Sequence, residues 1–594
     1  MLNLTALFSD FNPSLEDCPY YNVDGESITM EKLVELGAGK FRLALSKETS
    51  QKIANSRIIV DEIVSKNDIA YGITTGFGMF ASTVIDKVKL KDLQASLLRS
   101  HAAGVGKPLS LRLTRMLFAL RINVLSRGNS GISLQTLEQM IQIFNASCLP
   151  WVPEQGTVGA SGDLAPLAHL ALGLTGEGQM WSPTTGWTSA KNALMSNKVQ
   201  PLDLKPKEMV LSCDILLYTH GYFSFQGLAM INGTQLICSI GSYAFVRAER
   251  VARQADIIAA LTLDVCKGTS AAFDPGVSRV RPHKGQAMVC RRLRALLNNK
   301  LFHSELAESH RYCSRVQDPY SLRCCPQVHG IVWDTIEFVR GILTTELNSS
   351  TDNPLVFPGR KLVLSAGNFH GEYPAKALDY LAIAVHELAN ISERRLERLV
   401  NPAYSGLPAF LTKRGGLNSG FMMAHVTAAA LVSENKVLCH PSSVDSLPTS
   451  AGQEDHVSMG GFSARKCLQV VRNIEHAQAL EFLRPLKSTQ PLEAVYRLVR
   501  TVSPAWEDDR FMSPEIEAVT CLIRENKVWE AVRPYLLQYD NEFPVDWSPE
   551  RESKLPTDLS VSPSQNSSST VTRRRAQSNS QHPFKKRPCI EKAQ

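Results

Sequence analysis

Between Gly156 and Gly173 the chain reads GTVGASGDLAPLAHLALG, and three small residues, Ala160, Ser161 and Gly162, stand in a row. If the backbone bends at this triplet, the Gly162 nitrogen can attack the Ala160 carbonyl, because neither neighbour carries a bulky side chain to obstruct closure. Loss of water, including the Ser161 hydroxyl, then leaves an exocyclic methylene conjugated to a five-membered ring. That product is a strong electrophile of a kind no ordinary side chain supplies. The same residues also fit a plainer role, a glycine-rich helix entry in which Asp163 or Ser161 caps the helix that follows.

Other apparent motifs lack an essential member. His386-Glu387-Leu388-Ala389-Asn390 begins like a zinc-protease helix, but Asn390 stands where a second histidine must share the metal across one turn. Gly159-Ala160-Ser161-Gly162-Asp163 approaches a nucleophile elbow and ends in Asp163 instead of glycine. Gly76-Phe77-Gly78 has no third glycine at Ala81, and Gly39-Lys40 lacks the upstream glycine of a phosphate loop. Zinc proteolysis, serine hydrolysis and nucleotide binding therefore have no case here.

The triplet and its flanks resemble the signature of the aromatic amino acid ammonia-lyases. Further segments occur in the order of that family: YGITTGFG, SHAAGVGKPL, INGTQ, VQDPYSLRC, SSTDNP, GNFHGEYPAKALDY and QEDHVSMGG. The resemblance spans roughly residues 20 to 545 and favours the animal-type branch that acts on histidine. It implies a prosthetic group, 4-methylidene-imidazol-5-one (MIO), formed from Ala160, Ser161 and Gly162, with no metal and no dissociable cofactor.

The resemblance also implies roles for individual side chains. Arg323 matches the carboxylate clamp, where a guanidinium grips both oxygens through parallel hydrogen bonds. Tyr71 matches the base that removes a β-proton, although a phenol of pKa about 10 is weak without help from its surroundings. The glycines beside it make a mobile loop that can close and exclude water. Asn232 and Gln317 match amides that orient the amine and the prosthetic group, and Tyr320 and Phe369 match residues lining the electrophile and substrate. Asn353 is a further match, and it also suits a turn that ends before Pro354. Whether the electrophile adds the amine or the ring of the substrate stays open.

Substrate choice rests on two positions. Ser100-His101 stands where phenylalanine-specific relatives place apolar residues, and Glu454 where they place an amide. A carboxylate facing the substrate ring favours an imidazole N–H and rejects a phenyl ring, which would leave the charge buried without a partner. The expected reaction is deamination of L-histidine to trans-urocanate.

Long amphipathic helices must position these groups. Over Lys376 to Val400, Leu378, Leu381, Val385, Leu388, Leu396 and Leu399 recur at helical spacing, with charged residues between them. Similar patterns cover about 110–126, 242–264, 417–439 and 463–483, which predicts a bundle. The only convincing hairpin is LVFPGRKLVL at 355–364, and residues 1–60 show no strong periodicity. The expected fold is mainly α, a long-helix bundle of the aromatic ammonia-lyase (fumarase/aspartase-like) type. Its expected regions are an N-terminal segment 1–60, a catalytic region 61–325, a bundle region 326–547 and a disordered tail 548–594. The resemblance adds a homotetramer whose sites combine several subunits.

Composition agrees with a globular chain: 44% hydrophobic and 20% charged over 594 residues. The net charge of +7 is uneven, because residues 549–594 hold nine Lys/Arg against four Asp/Glu and the rest is nearly neutral. A nucleic-acid-binding body is therefore not expected. Thirteen scattered cysteines without a CxxC pair read as a reduced, cytoplasmic chain, and no signal or membrane-spanning run is apparent.

Two departures from the family pattern carry an alternative, a catalytically impaired paralogue or a defective gene-model product, beside the weaker alternative of a phenylalanine or tyrosine lyase or a related aminomutase. Met209 to Gln226, MVLSCDILLYTHGYFSFQ, is an apolar insertion just before Asn232. Between Lys466 and Glu481 relatives have about nine more residues, which at about 100° per residue would turn a continuous helix to its opposite face. Packing there must break or readjust.

Overall fold

Apolar side chains spaced three and four apart wind most of this chain into helices. A computed structural model describes residues 17–66, 68–71, 73–76, 78–85, 90–202, 227–312, 316–481 and 487–544. The insertion at 209–226 and the tail from 548 lie outside the described residues.

The first sixty residues hold more order than their sequence pattern announces. Strands β1 (Tyr20–Val23) and β2 (Arg42–Leu45) pair in parallel across helix α1 (Met30–Gly37). Thr29 caps α1 by accepting from the Lys32 amide, and α1 buries Met30, Leu33, Val34 and Leu36. Helix α2 (Lys47–Lys66) buries Ile53, Ile59, Val60 and Val64 in a thin apolar stripe mixed with the buried polar Thr49, Ser56 and Arg57, and leaves Ile58 exposed. Such a stripe is easily lost in a short sequence window.

Helices α3 (Leu90–His101), α4 (Leu111–Ser126) and α5 (Leu134–Asn145) come next, with strand β3 (Val105–Pro108) between the first two. Strands β4 (Leu149–Pro150) and β5 (Pro153–Gln155) then lead to α6 (Leu164–Leu174), β6 (Gln179–Ser182), β7 (Gly186–Ser189) and α7 (Ala190–Ser196). β3 pairs with β5, and β4, β6 and β7 form a three-stranded antiparallel sheet. The β6–β7 hairpin corrects the expectation of a single one. Its strands of four residues are too short for alternation to stand out.

Helix α8 (Gly227–Ile231) precedes α9 (Gln235–Val265), α10 (Pro275–Val280), α11 (Lys284–Leu296), α12 (Glu305–Ser309), α13 (Tyr320–Arg323) and α14 (Cys325–Leu347). The predicted hairpin at 355–364 is present as β8 (Leu355–Phe357) and β9 (Leu362–Leu364). Then come α15 (Glu372–Val400), α16 (Pro402–Ser405), α17 (Met422–Leu438), α18 (Gly460–Ala479), α19 (Gln490–Arg500), α20 (Ser513–Arg524) and α21 (Lys527–Glu542).

Helix α9 is buried on nearly every face and touches α4, α14, α15 and α18. Its polar side chains find partners in the neighbouring helices. Arg247 Nη2 lies 2.5 Å from Glu475 Oε2 of α18, and Gln254 Nε2 donates to the Ile523 carbonyl at 2.8 Å. α11 and α14 cross where Gly285 meets Gly330, and a Cβ on Gly285 would stand 2.0 Å from the Gly330 carbonyl oxygen. All of these helices belong to one contact unit, Met1–Trp547.

Helix α18, where the sequence raised the expectation of a shortened helix, runs without a break from Gly460 to Ala479. Just beyond it, the buried Glu481 receives Arg395 Nε at 2.5 Å and the Ser392 hydroxyl at 2.5 Å. Glu481 thus ties the chain to α15 by an ion pair and a hydrogen bond directly after the helix ends. The ten cysteines among the described residues are free thiols. No described helix is long and apolar enough to cross a membrane, and no described group of three His, Cys, Asp or Glu is placed to hold a metal.

Candidate active site

The loop before α6 is set by glycines at left-handed or extended positive φ. Gly159 (φ +67°) and Gly162 (φ +75°) bracket Ala160 and Ser161. Gly162 lies edge to edge with Gly233, and its own Cβ would stand 2.4 Å from the Gly233 carbonyl oxygen. No residue larger than glycine fits there. The Asp163 amide completes the pairing by donating to the Gly233 carbonyl at 2.7 Å.

This pairing brings the turn between α8 and α9 onto the triplet. Asn232 Nδ2 donates to the Ser161 carbonyl at 3.0 Å, and Asn232 Oδ1 is buried with no partner among the described residues. From the other side comes the segment before α18. Ser161 Oγ donates to Glu454 Oε1 at 2.5 Å, and Thr449 Oγ1 donates to Glu454 Oε2 at 2.7 Å. The Met459 amide reaches the Val158 carbonyl at 2.8 Å, and Ser458 Oγ reaches the Gly159 carbonyl at 3.1 Å.

Asp163 stands at the N-cap of α6 but makes no side-chain cap bond there. Its carboxyl accepts instead from the Ile237 amide at 3.0 Å, which caps α9 from outside. Neither Asp163 nor Ser161 therefore plays the plainer capping role. Burial pushes the Asp163 carboxyl up to about 7, against the lowering effect of that backbone hydrogen bond.

His101 ends α3, and its Nδ1 lies 2.9 Å from the Leu97 carbonyl oxygen. A carbonyl only accepts, so Nδ1 carries a proton toward it. The Tyr71 loop approaches the Glu454 segment through its far end: a Cβ on Gly78 would stand 3.0 Å from Ser450 Oγ, and Gln453 Nε2 lies 3.4 Å from Met79 Sδ. Asn353 is buried, and its Oδ1 accepts from the Ala366 amide at 2.8 Å. Phe369, half-buried, lies two residues before Gly371, where a Cβ would stand 2.8 Å from Ser458 Oγ.

Gln317, Tyr320 and Arg323 are placed differently. Gln317 is exposed, as is Tyr320 at 71%, and the Arg323 guanidinium lies over the Tyr320 ring at 4.9 Å. Arg323 Nε is buried with no partner among the described residues. No hydrogen bond among the described residues joins these three to Ser161, Asn232 or Glu454.

Several supports of the site escape a reading by motif. Thr449 and Ser458 are small polar residues that give no signal beyond their neighbourhood. Arg121 has one: a charge in the middle of the apolar run ALRINVL.

The residues present suit a ring formed from the triplet. The three side chains are small, the Ser161 hydroxyl is held by a carboxylate, its carbonyl has an amide donor, and Gly162 excludes any Cβ.

The profile of the aromatic amino acid lyase family matches residues 28–213 and 221–501, and the seven unmatched residues fall inside the insertion. The histidine ammonia-lyase of Bos taurus is 59% identical over 551 residues, covering 91% of this chain and 80% of that protein. The Myxococcus xanthus enzyme of the same name is 46% identical, covering 87% of this chain and 99% of that protein. Among solved structures, histidine ammonia-lyase from Trypanosoma cruzi is similar with a TM-score of 0.78 and 48% identity, covering 91% of this chain and 99% of that one. Tyrosine aminomutase from Streptomyces globisporus reaches 0.77 at 33% identity, covering 86% and 98%. The backbone is thus shared by relatives whose names differ in substrate, and substrate choice must be sought in side chains.

Proposed function

This chain belongs to the aromatic amino acid lyase family, and on that footing we propose that it is a carbon–nitrogen lyase converting L-histidine to trans-urocanate and ammonia, the first step of histidine degradation. The observation that carries the substrate is the Glu454 carboxylate, 2.5 Å from the Ser161 hydroxyl. An anionic acceptor beside the reactive triplet rewards an imidazole N–H and penalises the phenyl or phenol of related substrates.

MIO, formed from Ala160, Ser161 and Gly162, supplies the electrophile that makes loss of ammonia possible. Ala160, Ser161 and Gly162 would hold that group as a ring closed between the Gly162 nitrogen and the Ala160 carbonyl carbon, with two waters lost from the chain. Asn232 Nδ2 holds the Ser161 carbonyl in place throughout. Glu454 Oε1 is released when the Ser161 hydroxyl leaves, and the same oxygen then accepts the imidazole N–H. His101, when neutral, offers Nε2 as a second acceptor at the ring. Arg323 grips the substrate carboxylate, and Tyr71, on its glycine-rich loop, takes the β-proton. Fixing both ends of the substrate turns an encounter into a unimolecular step.

The assembly we propose is a homotetramer in the cytoplasm. α14 and α15 expose Ile331, Phe338, Tyr373, Tyr380 and Ile383, a stripe of large apolar residues suited to burial against another copy. Gln317, Tyr320 and Arg323, unconnected to the triplet of their own chain, then complete the site of a neighbour. The free thiols suit a reducing compartment.

The test is to incubate purified protein with L-histidine and follow urocanate absorbance, beside Glu454→Gln. Replacing the charged acceptor by a neutral one is expected to lower kcat/KM on the order of a hundredfold. Preferential release of cinnamate or coumarate, or a chain mass showing no water lost at the triplet, would sink the reading.

A further inference from the structure

We infer that Arg121 is a positioning residue, the fixed point that registers the Asn232 turn and the Asn353 turn against the Ala160-Ser161-Gly162 loop. The inference rests on the function proposed above and extends it to a side chain that touches no substrate.

Arg121 lies in α4 with no exposed surface. A guanidinium without water is driven to spend its donors on protein acceptors; here the two terminal nitrogens find them while Nε has none among the described residues, and the choice of acceptors shows what the fork holds. Nη1 donates to the Asn232 carbonyl at 2.7 Å and to Gln235 Oε1 at 2.8 Å, and Nη2 bonds the Ala229 carbonyl. These acceptors straddle the break between α8 and α9, where helix-end carbonyls otherwise have no donor. The residue whose carbonyl is gripped is the one whose amide holds the Ser161 carbonyl.

The same fork reaches the second turn. Arg121 Nη2 lies 3.7 Å from Asp352 Oδ2, while Asp352 Oδ1 accepts from the Asn353 amide at 2.8 Å. Gln235, held by Nη1, passes the link on by donating to Thr351 Oγ1 at 2.8 Å. One side chain therefore joins segments 229–235 and 351–353.

Arg115 provides the contrast. It lies on the same helix, equally buried, and donates to the carbonyls of Leu36 at 2.9 Å, Phe144 at 2.9 Å and Phe41 at 3.2 Å. None of these belongs to the site. Both arginines hold the fold, and only Arg121 holds the site.

The experiment compares the full chain with Arg121→Lys, Arg115→Lys and Asp352→Asn. Thermal midpoint, intact mass, and kcat and KM on histidine per dehydrated chain are measured for each. An ammonium cannot reproduce the fork, so both lysine variants lower the midpoint. Only Arg121→Lys is expected to lower kcat or the dehydrated fraction, on the order of a hundredfold for a misplacement near 1 Å, with KM within about threefold. Arg121→Lys that matches Arg115→Lys in kcat and in dehydrated fraction overturns the inference. Should Arg121→Lys fail to fold, Asp352→Asn decides: kcat reduced at an unchanged midpoint supports it, and parental kcat refutes it. If the parent makes no urocanate, the histidine reading fails, and the dehydrated fractions of the variants still judge Arg121.

Discussion

Asp163 follows the reactive triplet in sequence and is fully buried, with α9's first turn for company. Its folded pKa, about 7, lies above that of an unfolded aspartate, so the folded chain binds this proton more tightly. The stability gained is complete below about pH 4 and is lost as pH rises through about 7. Asp163→Asn removes the buried ionisation while keeping an acceptor for the Ile237 amide. Its thermal midpoint relative to the parent is expected to be higher at pH 8 than at pH 5, and an offset independent of pH would contradict this. At this scale the sequence is legible where chemistry demands a residue type: Ser161 in a run of small neighbours, Glu454 in QEDHVSMGG. It is silent on Thr449 and Ser458, because a residue that supports through one hydrogen bond can be almost any polar type in almost any pattern, and it marks Arg121 only as a charge inside an apolar run, without showing what that charge holds.

Among the elements, the long helices are legible because their apolar spacing repeats over many turns. The pattern at 376–400 lies within α15, and that at 242–264 lies within α9, which begins earlier, at Gln235. The pattern misses that start because a helix buried on all sides has no polar face to mark its phase. α2 fails for the opposite reason, its buried stripe being too thin. The α11–α14 crossing is illegible too, since it depends on two glycines far apart in sequence, Gly285 and Gly330. A Cβ on Gly330 would stand 2.5 Å from the Gln286 nitrogen and 2.7 Å from its Cα, so backbone must move. Gly330→Ala is therefore expected to cost about 1–3 kcal/mol, read as a lower urea midpoint at unchanged slope. An unaltered midpoint would show that the crossing relaxes freely.

Over the whole molecule, family membership is legible in the order of the motifs, yet the distribution of the site over the fold is not. Motifs adjacent in a reading of function fall into two groups in space. Ser161, Asn232 and Glu454 are bonded together within one chain, whereas Gln317, Tyr320 and Arg323 have no bond to them among the described residues. In the proposed tetramer this makes damage separable by inheritance. Co-expressing Glu454→Gln with Arg323→Gln should regenerate some intact sites from two crippled parents and raise urocanate release above that of either alone. Co-expressing Glu454→Gln with Asn232→Ala, both injuries falling in the same half, should not. Two crippled alleles of the first kind would then restore part of a cell's competence, and two of the second kind would leave it at the residual rate of the damaged sites.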